Sequence, residues 1–430
     1  MSKSELTVVA GSIEITPPEP CALAGFSARE GAFTRVADPL ELNGILLRQG
    51  GHSLLIISAD LLYVGDQVES ALRDELDEAG LPDCHSLIGA SHTHFAPNVD
   101  PTKPLLGEVS VGYVAFYLAR AVELVRRLLE TRPVVAGLSL AETDARMTIN
   151  RRRLRWRLDR QALLHHGVMM QPNSRGPVDS TLRALRIVDR SGVPVAVLWN
   201  YACHPVCFPR RHEVSADYVG VARRRLRERL DHALPVVFLQ GFAGDIRPPA
   251  VRHLGLRPRL WLSRALTGRR FGKMSESEWE RWTRGIANHL VDAAADSGRA
   301  LRPCLSHGSI DHPLSDLIDG KVGENPLRIS RVGLASELQI VALTAEVVIE
   351  YEAHLHRAFP ELQTIPVACA GAVFGYLPTW HMLHEGGYEA GEFFRGFSLQ
   401  GAFKPTVEGL VAHSFEQLAE EYYRQAALRG

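Results

Sequence analysis

A strand–helix–strand pattern near the start of the chain constrains its fold more than any other feature. Residues 52–64 are an apolar run typical of a buried strand, and residues 85–90 are a second one. Between them, Asp66 and Glu69 have the spacing of a capping box, apolar residues recur at helical spacing, and Gly80 ends the predicted helix. Such a β-α-β unit favours a parallel strand pair inside an α/β fold.

The pattern returns in the middle of the chain. Residues 194–203 and 235–240 are predicted strands, and the segment between them is a predicted amphipathic helix whose apolar stripe begins at Val219. Further predicted elements are helices at 113–131, 278–297, 347–359 and 406–427 and strands at 338–344 and 365–376. Because no repeat or flexible linker interrupts the chain, residues 1–430 are expected to form one α/β domain, with an irregular basic insertion at about 250–275.

The first feature that points to chemistry is Ser91-His92-Thr93-His94, which follows the strand at 85–90. Side chains two residues apart on a strand point to the same face, so His92 and His94 are expected to project together. They would do so at the carboxyl end of the strand, where open α/β sheets bind ligands. Two imidazoles placed in this way suit a metal ion, or one metal ligand and one acid–base group.

Three more side chains of types that bind metals lie just past predicted strands, namely His204, Glu346 and Tyr376. Together with His92, they offer two imidazoles and a carboxylate, a set that suits a catalytic zinc ion with one position open for water. The spacing also allows ordinary roles, because a glutamate at a strand end is usually solvated and a tyrosine there usually packs. The chain has 18 histidines, so several of them are expected to be ordinary surface or core residues.

Short motifs over most of the chain occur in an order found in one known family. They are, in chain order, 15–18 (ITPP) with Gly25-Phe26, 91–94 (SHTH) with Pro97, Ile149-Asn150-Arg151, 200–205 (NYACHP) with Ser215-Ala216-Asp217, Gln240-Gly241 with Gly244-Asp245, Glu346, Tyr376 with Pro378-Thr379, and Tyr388-Glu389. From about residue 10 to residue 420, the chain thus resembles the neutral ceramidases and their shorter bacterial relatives.

This resemblance implies a fold, a site and an activity. The fold would be two mixed β-sheets stacked face to face with helices outside. The site would be a zinc ion held by His92, His204, Glu346 and Tyr376, with His94, Arg151 and Tyr388 facing the substrate. The activity would be cleavage of a carboxylic amide by water that the metal activates, and an ester or a lactone would fit the same groups.

Two departures from the family pattern bear on the substrate and the mechanism. The chain ends where the catalytic domain of the family ends, without the C-terminal β-sandwich that is implicated in lipid association, so a small soluble substrate is expected instead of ceramide. Arg247 occupies the loop position at which full-length ceramidases have a serine once considered a nucleophile. A serine nucleophile is therefore excluded at this position, which favours water activated by the metal.

The charge balance limits the expected partners. Lys+Arg number 48 and Asp+Glu number 49, and this balance favours neither nucleic acid nor an anionic membrane as a partner. The N-terminus lacks the features of a signal peptide, so a cytoplasmic protein with free cysteine thiols is expected. The arginine-rich run 151–160 has two interpretations, a solvated edge strand or an electropositive rim that selects an anionic substrate.

Five other polar residues near the motifs have less specific interpretations. Asp217 either orients a metal-binding histidine or caps a helix, and Asp245 either accepts hydrogen bonds near the site or forms a turn. Asp60 is expected to be structural. His381 and His384 are expected in solvent or at the rim of the substrate site rather than on a metal.

Other functions fit parts of the pattern. Metallo-β-lactamase-like hydrolases need an Asp-His pair soon after HxH, which residues 95–98 do not supply, and TIM-barrel amidohydrolases carry HxH on their first strand, whereas a strand–helix unit precedes it here. A non-catalytic protein of the same fold that binds zinc or another ligand is a further alternative. Nucleic-acid binding through the run 151–160 is the last, and the balanced charge weakens it.

Overall fold

The computed structural model describes residues 5–158, 164–252 and 268–429, so most of the basic insertion expected at about 250–275 lies outside the described residues. The α-helices are α1 Gln67–Glu78, α2 Val111–Glu130, α3 Asp217–Arg229, α4 Glu276–Ala295, α5 Leu314–Leu317, α6 Tyr351–Ala358, α7 Trp380–Glu385 and α8 Val407–Arg429. Short 3-10 helices cover Pro104–Leu106, Tyr388–Ala390 and Glu392–Phe397.

The strands of the described residues range in length from 2 to 11 residues. They are β1 Thr7–Glu14, β2 Arg35–Val36, β3 Glu41–Gln49, β4 His52–Ala59, β5 His85–Ala90, β6 Val134–Asp144, β7 Ile149–Leu158, β8 Leu164–Asn173, β9 Thr181–Asp189, β10 Pro194–Tyr201, β11 Glu213–Val214, β12 Val236–Gln240, β13 Ile246–Arg247, β14 Arg299–Leu301, β15 Pro303–His312, β16 Ile318–Lys321, β17 Leu327–Ala335, β18 Leu338–Leu343, β19 Glu346–Val347, β20 Gln363–Val367, β21 Tyr376–Leu377 and β22 Gln400–Phe403.

Most of these strands belong to two sheets. The larger sheet has the order β12-β10-β9-β6-β1-β3-β4-β5, with β14 also paired to β6, and the smaller has the order β15-β17-β18-β20. The pairs β4–β5, β10–β12 and β18–β20 are parallel and lie among antiparallel pairs, so both sheets are mixed. Both predicted β-α-β units are present, with α1 and α3 as their crossover helices.

A hydrophobic core fills the space between the two sheets. Ile56 of β4 and Val237 of β12 belong to it from the larger sheet, and Val332 of β17 and Ile340 of β18 from the smaller. Helices α1 and α2 cover one part of the outer face of the larger sheet, and α3 and α4 cover another. Burial of each aliphatic side chain stabilises the fold by about 1.5–3 kcal/mol. The predicted arrangement of two stacked mixed sheets with helices outside is confirmed.

The larger sheet curls until its two end strands meet. Leu239 of β12 packs against Gly89 of β5. The loop 368–371, which follows β20, hydrogen-bonds to both end strands, at Gln240 of β12 and Ile88 of β5. Because of this curl, the loops that follow β5 and β10 open onto the same space, although five strands separate β5 from β10 in the sheet order.

Several predicted elements differ in detail from the observed ones. Helix α1 begins after Asp66, but the Asp66 side chain makes no capping hydrogen bond, so the predicted capping box is absent there. The predicted strand 365–376 is two strands, because Cys369, Gly371 and Gly375 adopt positive φ angles that interrupt an extended chain. None of the helices in the described part of the chain combines the length and the apolar content that crossing a bilayer requires.

Candidate functional site

The two histidines of the SHTH segment lie in a loop rather than on a strand. Strand β5 ends at Ala90, and His92 has a φ of 67°, in the left-handed region that histidine tolerates better than most residues. The rings of His92 and His94 lie 5.2 Å apart between centroids. The predicted convergence is therefore present, but the alternation of strand side chains is the wrong reason for it, because a tight turn brings the rings together.

Three imidazoles meet at this point. One ligand atom from each of His92, His94 and His204 lies within 4.8 Å of the other two. The Nδ1 atom of each ring is within hydrogen-bond distance of a backbone carbonyl, at Leu62 for His92 (3.1 Å), at Gly25 for His94 (3.0 Å) and at Ile246 for His204 (3.0 Å). Because a carbonyl only accepts, Nδ1 carries the proton and Nε2 of each neutral ring keeps its lone pair. Histidines that bind metals are held in this way.

Glu346 brings a carboxylate to the same point. Its Oε2 atom lies 3.1 Å from Nε2 of His204 and 3.3 Å from Nε2 of His92, and the residue is 2% exposed. Strands β19 and β21 pair in parallel with Glu346 opposite Tyr376, and burial together with the nearby Glu346 carboxylate raises the pKa of Tyr376 well above its ordinary value. The structure thus brings together the four side chains that the resemblance assigns to zinc.

The donor atoms of the cluster fit a divalent metal ion. The Nε2 atom of His94 is buried and has no hydrogen-bond partner among the described residues, and Nε2 of His92 is buried with only the Glu346 carboxylate beside it, at 3.3 Å. Leaving a buried polar atom unpaired costs about 1–3 kcal/mol, so such atoms need an explanation. Imidazole nitrogens and a carboxylate around one point are the donors that zinc takes in catalytic sites. His92, His204 and Glu346 are the side chains that would hold the ion, since Glu346 contacts these two rings.

The pKa values of His92, Glu346 and His204 are shifted in different directions by burial and by one another. Burial opposes a charge on His92, but the neighbouring Cys369 and Glu346 raise the pKa of His92 well above its ordinary value. Burial also opposes a charge on Glu346, yet His92 and His204 hold the pKa of Glu346 well below the ordinary value. Burial lowers the pKa of His204 to about 4. A proton therefore resides on His92 beside the Glu346 carboxylate, and a metal ion has to displace it.

His94 differs from the other two rings. Burial, His92 and His204 together lower its pKa well below the ordinary value, so His94 is neutral at pH 7. His94 lines the cavity described below, whereas His92 does not. The arrangement suits a proton acceptor beside the point where His92, His204 and Glu346 meet, which is called the metal point from here on.

Arg151 and Tyr388 complete the predicted set. The Nε atom of Arg151 donates to Oε1 of Glu389 at 2.7 Å, and its guanidinium lies over the rings of Tyr376 (5.3 Å) and Tyr388 (5.7 Å). The Nη2 atom of Arg151 is buried without a partner among the described residues. Burial raises the pKa of Tyr388 to about 12, so its hydroxyl keeps its proton. Both side chains are therefore hydrogen-bond donors near the metal point.

A cavity of about 220 Å³ opens onto these groups. Its floor carries the predicted residues His94, Arg151, His204, Tyr376 and Tyr388. Its walls add the apolar side chains Phe26, Met170, Val206, Phe208 and Met274, and the charged or thiol side chains Cys207, Arg211, Arg247 and Lys273. The volume admits a small molecule above the metal point.

Asp217 and Asp245 contact none of the three histidines. Asp217 accepts hydrogen bonds from the backbone N–H of Cys207 and from the Trp279 indole, so it fixes the loop after His204 to α4. Neither of its two interpretations describes this, since Asp217 contacts no histidine of the cluster and the residue that caps α3 is Ala216. Asp245 accepts from the N–H of Ile349 and from the Asn150 side chain. It thereby braces the two segments that carry Glu346 and Arg151.

The remaining sequence candidates lie away from the centre. Asp60 forms a buried ion pair with Arg223 at 2.7 Å, in agreement with a structural role. His381 and His384 lie on α7 and do not line the cavity; His381 contacts Glu350, and His384 contacts the Trp380 carbonyl.

The described part of the arginine-rich run lies on β7, which pairs antiparallel with β8, but its first arginines are not at a solvated edge. Arg151 and Arg152 are buried and share the carboxylate of Glu389, with Arg152 at 2.8 Å. These two residues therefore belong to a buried ion network, and neither interpretation of the run describes them. The end of the run, 159–160, lies outside the described residues.

Sequence reasoning missed two partners of the site. Tyr63 donates its hydroxyl proton to Oε1 of Glu346, and Glu389 holds Arg151 in place. Nothing in the apolar run before Tyr63 marks it as more than a core tyrosine. Glu389 stands beside Tyr388 in a motif of the resemblance, and that position is the one available signal.

Comparisons with known proteins find relatives by structure alone. No protein-family model matches the chain, and no curated protein matches it by sequence. The structure of neutral ceramidase from Pseudomonas aeruginosa matches with a TM-score of 0.73 at 14% identity, covering 97% of this chain and 75% of that one. A structure described as ceramidase complexed with C2 matches with a TM-score of 0.74 at 13% identity, covering 98% and 76%. The chain therefore has the neutral-ceramidase fold, as the resemblance implied.

Proposed function

We propose that this chain is a zinc-dependent hydrolase that cleaves a carboxylic amide bond in a small substrate. The observation that carries the proposal is a set of three imidazoles, each held by a backbone carbonyl at Nδ1, two of which contact the Glu346 carboxylate beside a cavity. The fold supports it, because both matched structures are ceramidases, enzymes named for an N-acyl substrate.

His92, His204 and Glu346 are the proposed ligands, with the Tyr376 hydroxyl beside them. A zinc ion bound there would lower the pKa of a coordinated water toward about 7 and polarise a carbonyl group. Tyr63 and the backbone carbonyls of Leu62 and Ile246 fix the ligands, so the set is organised before any ion arrives.

His94 is the proposed acid–base group. Its Nδ1 proton is committed to the Gly25 carbonyl, so Nε2 is free to accept a proton from the attacking water. The same nitrogen then returns that proton to the leaving amine, which needs it because an amine anion is a poor leaving group. Its lowered pKa keeps the ring neutral at the start of the cycle.

Arg151 and Tyr388 are the proposed oxyanion donors. Glu389 compensates the charge of Arg151 through Nε and leaves Nη2 without a partner among the described residues. Donors fixed in this way stabilise the charge that develops on the carbonyl oxygen, and the loss of one typically costs about 2.7–4 kcal/mol of barrier.

Metal analysis combined with a panel of N-acyl substrates tests the proposal. The purified protein is expected to contain about one zinc per chain, to lose activity on chelation and to regain it with zinc. His204→Ala should abolish both zinc binding and activity, whereas His384→Ala, on the outside of α7, should change neither. Full amide hydrolysis by a protein stripped of metal would overturn the proposal. If the protein cleaves esters or lactones but no amide, the proposed scissile bond changes from an amide to an ester or a lactone.

A further inference from the structure

The cavity above the metal point has a strongly positive wall. Arg211, Arg247 and Lys273 line it, in addition to Arg151 on the floor, and no aspartate or glutamate is among its described lining residues. Arg151 is compensated by Glu389. The three wall cations come from separate segments of the chain, so the fold collects them at this place.

Arg247 is the chain neighbour of a residue that holds one of the proposed metal ligands. It follows Ile246, whose carbonyl holds Nδ1 of His204 and also accepts the His204 backbone N–H. Strand β13 fixes the backbone of Arg247 by pairing it with Ile149 of β7, two residues before Arg151. The position of Arg247 is therefore set by the same hydrogen bonds that set the metal ligand and the oxyanion donor.

No carboxylate of the described residues pairs with Arg247. Its side chain packs on the ring of Phe271, 4.2 Å from the centroid, and lies beside the Cys207 thiol. Its Nε atom is buried and has no hydrogen-bond partner among the described residues. A cation that is largely removed from water and lacks an anion is costly, so a ligand that supplies the anion would be bound strongly.

The other charged residues that line the cavity are also cations and supply no anion to Arg247. Arg211 and Lys273 are exposed at the mouth of the cavity and make no ion pair with the described residues, and Arg211 stacks on Phe26 at 4.5 Å.

We propose, resting on the function proposed above, that Arg247 binds a carboxylate of the substrate and that the substrates are N-acyl amino acids. A guanidinium fork matches a carboxylate with two parallel hydrogen bonds. A cavity of about 220 Å³ keeps the carboxylate within a few bonds of the scissile amide, and an N-acyl amino acid has this arrangement. Arg211 and Lys273 attract the anion to the mouth, and the apolar wall of Met170, Phe208 and Met274 accepts an apolar side chain.

The reaction balances without a further reactant. Water adds to the acyl carbon, the C–N bond breaks with its electron pair going to nitrogen, and the nitrogen takes a proton. The products are a carboxylic acid and a free amino acid.

The test measures acetate release from N-acetyl-L-methionine and from its carboxamide, which differ only in the charge near Arg247. The wild type should prefer the carboxylate in kcat/KM by roughly 10- to 100-fold, the range expected for a hydrogen bond to a charged group. Arg247→Met should remove this preference by lowering the rate on the carboxylate alone. Arg190→Met, a substitution of an exposed arginine outside the cavity, should keep the preference.

A binding measurement separates this inference from the proposed function. Calorimetry on metal-free protein should show N-acetyl-L-methionine binding that weakens roughly tenfold or more in Arg247→Met and less in Arg247→Lys, which keeps the charge. Tighter binding of the phosphonate analogue than of the carboxylate would overturn the carboxylate assignment. Equal kcat/KM for carboxylate and carboxamide would overturn the inference and leave the hydrolase intact, whereas carboxylate binding that depends on Arg247 without any acetate release would overturn the hydrolase.

Discussion

The substitution Glu346→Gln separates the metal-binding role of this residue from its role in folding. A glutamine has the same shape, and once His92 has given up the proton that the carboxylate held there, the amide offers two N–H donors to Nε2 of His204 and of His92, which lie 3.1 and 3.3 Å from Oε2. Its carbonyl oxygen accepts the hydrogen bond from Tyr63. Without metal, the variant should therefore be as stable as the wild type or more stable, because neutral hydrogen bonds replace a buried ion pair.

With metal present, the two proteins should differ. Zinc at a hundred times its Kd stabilises the wild type by about 2.7 kcal/mol. Loss of the anionic ligand should weaken zinc binding about 100-fold or more, since even partners that only orient a ligand are worth 10- to 100-fold. At the same zinc concentration the stabilisation then falls to about 0.4 kcal/mol. With an unfolding entropy of about 2.1 cal/mol/K per residue over 430 residues, the difference is about 2.5 °C in Tm.

Scanning calorimetry with and without zinc measures this difference. Glu350→Gln is the matched control, because it makes the same chemical change four residues further on, where Glu350 contacts Thr379 and His381. The control should keep the full zinc-dependent rise in Tm. A Glu346→Gln variant with the same rise as the wild type would refute the assignment of Glu346 as a metal ligand.

Three further predictions concern neighbouring groups. His94→Asn should keep the zinc content and lower kcat by about 10²- to 10⁴-fold, as expected for an acid–base group; loss of zinc instead would make His94 a ligand. Zinc affinity should rise with pH through the raised pKa of His92, because the proton on His92 competes with the metal below that pKa; an affinity independent of pH between 5 and 9 would contradict this. Glu389→Gln should lower kcat without changing zinc content, since Arg151 loses the carboxylate that holds it, and an unchanged kcat would show that Arg151 is positioned by other contacts.

Local patterns in the sequence were sufficient to predict the α/β class, whereas the two stacked sheets were predicted from the family resemblance. The alternation of apolar strands and amphipathic helices identified both β-α-β units, and the strand ends located the SHTH segment and His204. These features depend on residues that are close in the chain. The SHTH segment and His204 come together because the larger sheet curls and because the loop 368–371 ties β5 to β12. No local sequence pattern predicts such a contact.

The parts of the site that were not predicted depend on distant partners. Tyr63 and Glu346 are 283 residues apart in the chain, and Arg151 and Glu389 are 238 apart. The arginine-rich run was therefore interpreted as a solvated edge strand or an electropositive rim, because Glu389, the carboxylate that pairs with the buried Arg151 and Arg152, comes from another part of the chain. The conformation of His92 was also unpredicted, since a turn with a positive φ replaces the end of a strand.

Anomalous diffraction at the zinc absorption edge, on crystals of the purified protein, tests the central claim most directly. The account predicts one strong peak about 2.0–2.2 Å from Nε2 of His92, Nε2 of His204 and a carboxylate oxygen of Glu346. A zinc-replete crystal with no peak at this point, or with its zinc on other side chains, would contradict the account.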